Sequence, residues 1–400
     1  MKKSNKQKIR AALLGLSAAL LLGGCAKAPG GFGPPPAEAQ SANPVPAAAD
    51  AEGYTGSKML DGAALFTERD LRQTADAAGA SVLSVSDGQI LTITEEGVYL
   101  LGGTAKNATI CVEAGKAAKV QLVLDGLCIE NEDFPCIYVK SADKVFVTTQ
   151  TDSSLRVTGG FRKDGSTKTD GVIFSRDDLV LNGTKALTIQ SSENGVVAKD
   201  ELRITGGSYV ITAGDTAIEA RDAIYISGGS FTLNAKNDGL HAENDEDDSR
   251  GLLYIGGGSF TIEVGDDGLH ARSLVQIDDG ALDITAAEGI EGTYVQLNGG
   301  TISISASDDG VNGAQKSSAY HATVEMNGGT LSITMGPGDT DGIDVNGDLI
   351  IKGGVISVSG QSGFDYDGSV SFTGGTVTLN GQELTEIPNQ QMGGPGGRRR

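Results

Sequence analysis

Acidic side chains recur in this chain at a spacing that one isolated site would not need. A polar or acidic residue, a small one and an apolar one repeat as Asp170-Gly171-Val172, Asn194-Gly195-Val196, Thr216-Ala217-Ile218, Asp238-Gly239-Leu240 and Asp267-Gly268-Leu269. The pattern continues as Glu288-Gly289-Ile290, Asp309-Gly310-Val311, Asp341-Gly342-Ile343 and Ser362-Gly363-Phe364, in steps of 24, 22, 22, 29, 21, 21, 32 and 21 residues. The fourth place reads Ile173, Val197, Glu219, His241, His270, Glu291, Asn312, Asp344, Asp365. A period near 22 is that of a solenoid, each repeat one coil on the last. Equivalent residues then lie about 4.8 Å apart. Like charges so placed repel by about 1 kcal/mol per pair in water, and more near a protein surface. A cation between the rungs relieves this, and Ca²⁺, with roughly 6–8 oxygen ligands, suits such a column.

The densest group is Asp308, Asp309, Asp339, Asp341, Asp344 and Asp365, from three successive coils, with Glu288 and Glu291 one coil earlier. A second is the insertion 243–248, with Asp245 and Asp247, beside Asp238 and Asp267. The alternative for any one of them is a solvated corner, where Asp bonds its own backbone. The small second residue is expected to lower the groove floor for a ligand. His241 and His270 are expected to stack as surface polar residues facing solvent; His321 lies in an insertion and carries no signal. Arg203, Tyr225, Tyr254, Gln276 and Gln296 fall on one outward column, a strip suited to stacking and hydrogen bonding with sugars.

The elements that position these residues alternate with period two. Gly299-Gly300-Thr301-Ile302-Ser303-Ile304-Ser305 and Gly353-Gly354-Val355-Ile356-Ser357-Val358-Ser359 place apolar side chains on one face. Paired glycines mark tight corners. The L-x-x-L-x-L frame of leucine-rich repeats and the nine-residue period of calcium β-rolls are both absent. The expected fold is all-β: a right-handed parallel β-helix over 56–382, with a short cap within 57–79. Val172, Val196, Ile218, Leu240, Leu269, Ile290, Val311 and Ile343 are expected to line one inner wall. Tyr209/Ile211 to Ile356/Val358 line another.

The chain has 400 residues, 59 Gly, no Trp and a formal charge of −21. That acidity argues against direct binding to nucleic acid or anionic lipid. Lys2, Lys3, Lys6, Lys8 and Arg10 precede an apolar run from Ala11 to Leu22 and then Leu-Gly-Gly-Cys25. This reads as a signal peptide over 1–24, too short to span a membrane. Its ending resembles a bacterial lipoprotein box, which implies lipidation of Cys25 and anchoring on the outer face of the cytoplasmic membrane. Residues 25–55 form a Pro/Ala-rich linker, and 383–400 an unpacked tail. Cys111, Cys128 and Cys136 read as buried thiols, with a 128–136 disulfide as the alternative.

The run Asp238-Gly-Leu-His-Ala-Glu-Asn-Asp-Glu-Asp-Asp-Ser-Arg-Gly-Leu-Leu-Tyr-Ile, with Glu288-Gly-Ile-Glu-Gly, Asp308-Asp-Gly-Val-Asn, Val123-Leu-Asp-Gly126 and Ile137-Tyr-Val-Lys140, resembles a family of exported clostridial β-helix proteins. The resemblance runs over about 80–378. It implies carbohydrate binding, with cellulose and polygalacturonate as ligands, calcium on the β-helix, and a fold similar to pectate lyases. The residues themselves are consistent with calcium bridging an acidic protein to an acidic polysaccharide. Calcium-dependent β-elimination is the enzymatic rival; it needs a basic side chain beside the ion, and Lys316 is the one candidate near the cluster. A surface adhesin or scaffold without glycan specificity is a third reading.

Overall fold

The computed structural model describes residues 57–337 and 340–389. The leader, Cys25, the linker and Asp339 lie outside the described residues. Among those described, the chain is a parallel β-helix. Its strands fall on three walls, and each pairs with strands one coil earlier and one coil later.

The first wall runs through Asp178–Gly183, Glu201–Ile204, Ala223–Ile226 and Leu252–Ile255. The second runs through Ala186–Ser191, Ser208–Ala213, Ser230–Ala235, Ser259–Val264, Ala281–Ala286 and Thr301–Ala306. The third carries Asn194–Ala198, Ile218–Ala220 and Leu240–Ala242, then Val311–Gly313, Asp341–Val345 and Ser362–Tyr366. Two long strands, Asp267–Ile277 and Glu288–Leu297, turn the corner from the third wall to the first, with a register shift between Ala271 and Leu274. Pairing begins at Ser81–Ser84 and Gly97–Lys106, so the coils reach back to residue 81.

Burial follows the expected alternation. In Ala281–Ala286 and Thr301–Ala306 exposed and buried residues alternate without exception. The inward aromatics Tyr209, Phe231 and Phe260 stack at 5.4 and 4.5 Å between centroids. At the corners the second glycine of each pair has positive φ, +95° at Gly207 and +82° at Gly300, where an L side chain would be strained.

Four expectations change. At the start of the third wall Val196 pairs with Ile173, and Val197 with Phe174. Asp170-Gly171-Val172 therefore sits one residue out of frame, and Asp170 instead holds Lys168 at 2.9 Å. Residues 57–73 do not close an end of the solenoid. They contain a 3₁₀ turn at Gly62–Leu65, but lie along the flank of the first wall. The tail is packed as far as described: Gln382–Glu383 pairs antiparallel with Thr378 and Leu379, and Ile387 joins the core. Finally, the cysteines are not three buried thiols: Cys128 is half-buried and disulfide-bonded, while Cys136 is a free buried thiol whose Sγ bonds backbone carbonyls, so the 128–136 bridge is not made.

Candidate functional site

The site is the outward column of the third wall. Strand register places Cys111, Tyr138, Phe174, Val197, Glu219, His241, His270, Glu291, Asn312, Asp344 and Asp365 one above another. The column changes character midway. Cys111, Tyr138, Phe174 and Val197 form an apolar cluster closed by Phe134. From Glu219 onward the side chains are ionic or amide, so the ladder read from the sequence is present in space.

The small second-place residue serves the interior, not a ligand. A Cβ on Gly289 would stand 2.4 Å from the Gly310 carbonyl and 2.5 Å from Ile304 Cγ2, and Gly310 and Gly268 are equally closed in. These glycines let the third wall pack against the second.

At the acidic end, Asp341 N donates to Asp309 Oδ1 at 3.1 Å, Ser362 Oγ donates to Asp341, and Asp344 pairs with Asp365 in register. Burial, then Asp344, Asp308 and Asp341, push the Asp309 carboxyl up to about 7. Burial, then Asp365, Asp341 and Asp367, push Asp344 to about 6. Asp365 is raised by burial and Asp367. One coil earlier, Glu288 is pushed to about 8 by burial and Glu291, although Asn312 Nδ2 donates to it at 2.9 Å.

The middle of the column is organised by two imidazoles. The rings of His241 and His270 stack at 4.4 Å and 9°. The expected stack exists, but only His241 reaches solvent: His270 is 5% exposed. His241 Nδ1 lies 2.7 Å from Asp238, and His270 Nδ1 lies 2.7 Å from Asp267 and 2.8 Å from Glu291. Burial opposes charge on both rings, but the carboxylate bonds prevail, so both are raised, His241 to about 10. Asp238, Asp267 and Glu291 are thus turned toward imidazoles. Lys316 Nζ, reaching from a second insertion, also pairs with Glu291.

The acidic insertion is held by cations of the chain itself. Asp245 and Asp248 meet Arg272, Asp247 accepts from Ser249 and meets Arg250, and Glu246 meets Arg221. Asp245 and Asp247 thus each meet an arginine, and neither shares a ligand cluster with other acidic or imidazole groups among the described residues. Asp248 also joins the insertion to residues 317 and 318, so the two insertions form one rim.

The outward column Arg203, Tyr225, Tyr254, Gln276 and Gln296 on the first wall is in register as expected. It is not an open sugar platform. Leu60 N donates to Gln276 Oε1 at 2.6 Å, Met59 N to Gln296 Oε1 at 3.1 Å, and Arg203 Nε to Leu65 O at 2.8 Å. Both tyrosines are buried beneath Leu60, Leu65 and Phe66. Sequence reasoning missed this strap, although three apolar residues without strand alternation were a signal that 57–73 must cover something.

Along the corner before the acidic column run two shallow troughs of about 400 and 380 Å³. Small side chains line them, including Ala235, Ala286, Ala306 and Ser307.

The chain is thus a parallel β-helix with an ionic column along one wall. The chain matches a solved structure titled as the polysaccharide lyase-like protein from C. thermocellum, in its gadolinium derivative: TM-score 0.50, 28% identity, 56% of this chain and 96% of the other. Residues 87–340 match the carbohydrate-binding domain-containing protein family, and the chain belongs to it. A relative of the same description from Acetivibrio thermocellus is 35% identical over 136 residues, 33% of this chain. The match spans 47% of that relative, about half its length.

Proposed function

We propose that the protein binds an acidic plant-type polysaccharide, polygalacturonate or pectin, with cellulose as the neutral alternative, through calcium held at Asp309, Asp341, Asp344 and Asp365. The observation that carries this reading is the acidic end of the column: carboxylates in register one coil apart, raised by burial and then by neighbouring carboxylates. An oxygen-only donor set suits Ca²⁺, a hard cation. An ion held from one side keeps sites for a uronate carboxylate, which the bare protein would repel. The trough beside Asp308 gives a linear glycan a place to lie along the coils. Lipidation at Cys25 would set the groove at the cell surface, beyond a 25–55 tether.

The test is pull-down or calorimetry on polygalacturonate with calcium. EDTA should abolish binding, and Asp344→Asn should weaken it by at least about tenfold, or about 1.4 kcal/mol. Undiminished binding in EDTA would falsify the bridge. A second reading, β-elimination, has Lys316 in its favour, because that side chain reaches the column at Glu291. Unsaturated products from pectate that vanish in Lys316→Ala would establish it; none from the parent protein would dismiss it.

A further inference from the structure

The central part of the column differs in donor chemistry from its acidic end. We propose that His241, His270 and Glu243 form a site for one transition-metal dication of the zinc class, separate from the calcium ladder.

One ligand atom from each of these residues lies within 4.8 Å of the others. Both histidines come from the same place in successive coils, so their rings are held parallel with Nδ1 turned to Asp238 and Asp267. With Nδ1–H held by a carboxylate, an incoming metal displaces the Nε2 proton and takes that lone pair, the arrangement that orients metal-binding histidines. Here it occurs twice, one coil apart. His241 Nε2 lies 3.2 Å from Glu243 Oε2. His270 Nε2 is buried with no hydrogen-bond partner, on a residue only 5% exposed. A buried polar atom left this way costs about 1–3 kcal/mol, and a metal bond would remove that cost.

Charge points the same way. Asp238, Asp267, Glu243 and Glu291 surround the pair, and Lys316 and Arg272 are the cations meeting them. Once the two Nε2 protons have left, an excess of two negative charges remains, which one dication cancels. The rings need to tilt toward each other to share an ion, and Glu243, at the start of the insertion, closes the third side. Two imidazoles and one carboxylate select zinc, cobalt or nickel over calcium, which prefers oxygen throughout. His241 and Glu243 are partly exposed, so a fourth position opens toward the groove.

The experiment uses the full chain, stripped of metal by chelator and dialysed. Cobalt(II) should give visible d–d absorption saturating at one equivalent, and zinc should displace it. Calcium in large excess should leave the spectrum unchanged. His241→Ala should weaken zinc binding at least tenfold, Asp238→Asn about tenfold or more, and His321→Ala not at all. X-ray absorption of the zinc-loaded parent should show imidazole scattering, a readout that survives should His270→Ala fail to fold. Absent binding, displacement by calcium, or binding indifferent to His241→Ala would overturn the site.

Discussion

At the residue scale, most charged groups on the outer faces are paired, and the exceptions carry the information. Asp178 on the first wall shows that burial can raise a carboxyl even where cations stand beside it, 3.5 Å away at Arg203 and 3.8 Å at Lys144. Burial, then Glu201, push its carboxyl up to about 6 from 3.8, although Arg203 and Lys144 pull the other way. Its ionised form is thus disfavoured in the fold relative to the unfolded chain. The stability tied to its neutral form is fully present below about pH 4 and is lost as pH rises toward about 6. Asp178→Asn should therefore stabilise the protein at pH 7 by about 1 kcal/mol, after discounting for solvent screening. The gain should vanish in acid near pH 4. Arg203 keeps Glu201 and the Leu65 carbonyl in this variant. A melting temperature that falls at neutral pH would mean the ion pairs outweigh burial.

At the element scale, the tripeptide that marks each coil is a packing device before it is a binding device. Gly289→Ala would drive a methyl into the Gly310 carbonyl and Ile304. Overpacking of this kind costs about 1–3 kcal/mol, and more when the obstacle is backbone. Phe231→Ala, which removes the middle ring of the Tyr209–Phe231–Phe260 stack, should cost about 3–5 kcal/mol. Chemical denaturation checks both; a neutral Gly289→Ala would mean the glycine serves the groove after all. The period, the three-wall core and the vertical order of the ladder were legible because period-two burial and glycine corners are local signals. Frame was legible from Asn194 onward and failed at Asp170, where Gly171 stands level with Asn194. What the sequence did not show was which faces are covered. The Tyr225–Gln296 column, open by pattern, is hidden by a strap from more than a hundred residues upstream. Of the two histidines, solvent-facing by pattern, His270 is buried and His241 is only partly exposed. Such long-range coverage leaves no periodic trace.

At the scale of the whole molecule, a formal charge of −21 and a one-dimensional architecture act together. Diffuse repulsion acts along the whole solenoid, so monovalent salt, which screens it within roughly 10 Å, should protect every coil to a similar extent. Calcium differs. A coil touches only its neighbours, so stability is a sum of local terms, and an ion at Asp309, Asp341, Asp344 and Asp365 stabilises the coils that hold it. At about a hundred times its dissociation constant, one ion adds about 2.7 kcal/mol. Hydrogen exchange followed along the chain separates the two effects. Added calcium should slow exchange in the coils from about Glu288 to Tyr366, while Gly97–Lys106 and Ile137–Ser141, on the same third-wall side or its neighbour, stay as they were. Sodium chloride at matched ionic strength should slow all of these segments together. If calcium protects both ends equally, it acts as a screening ion alone, and the carboxylate ladder is a repulsive column with no bound cation.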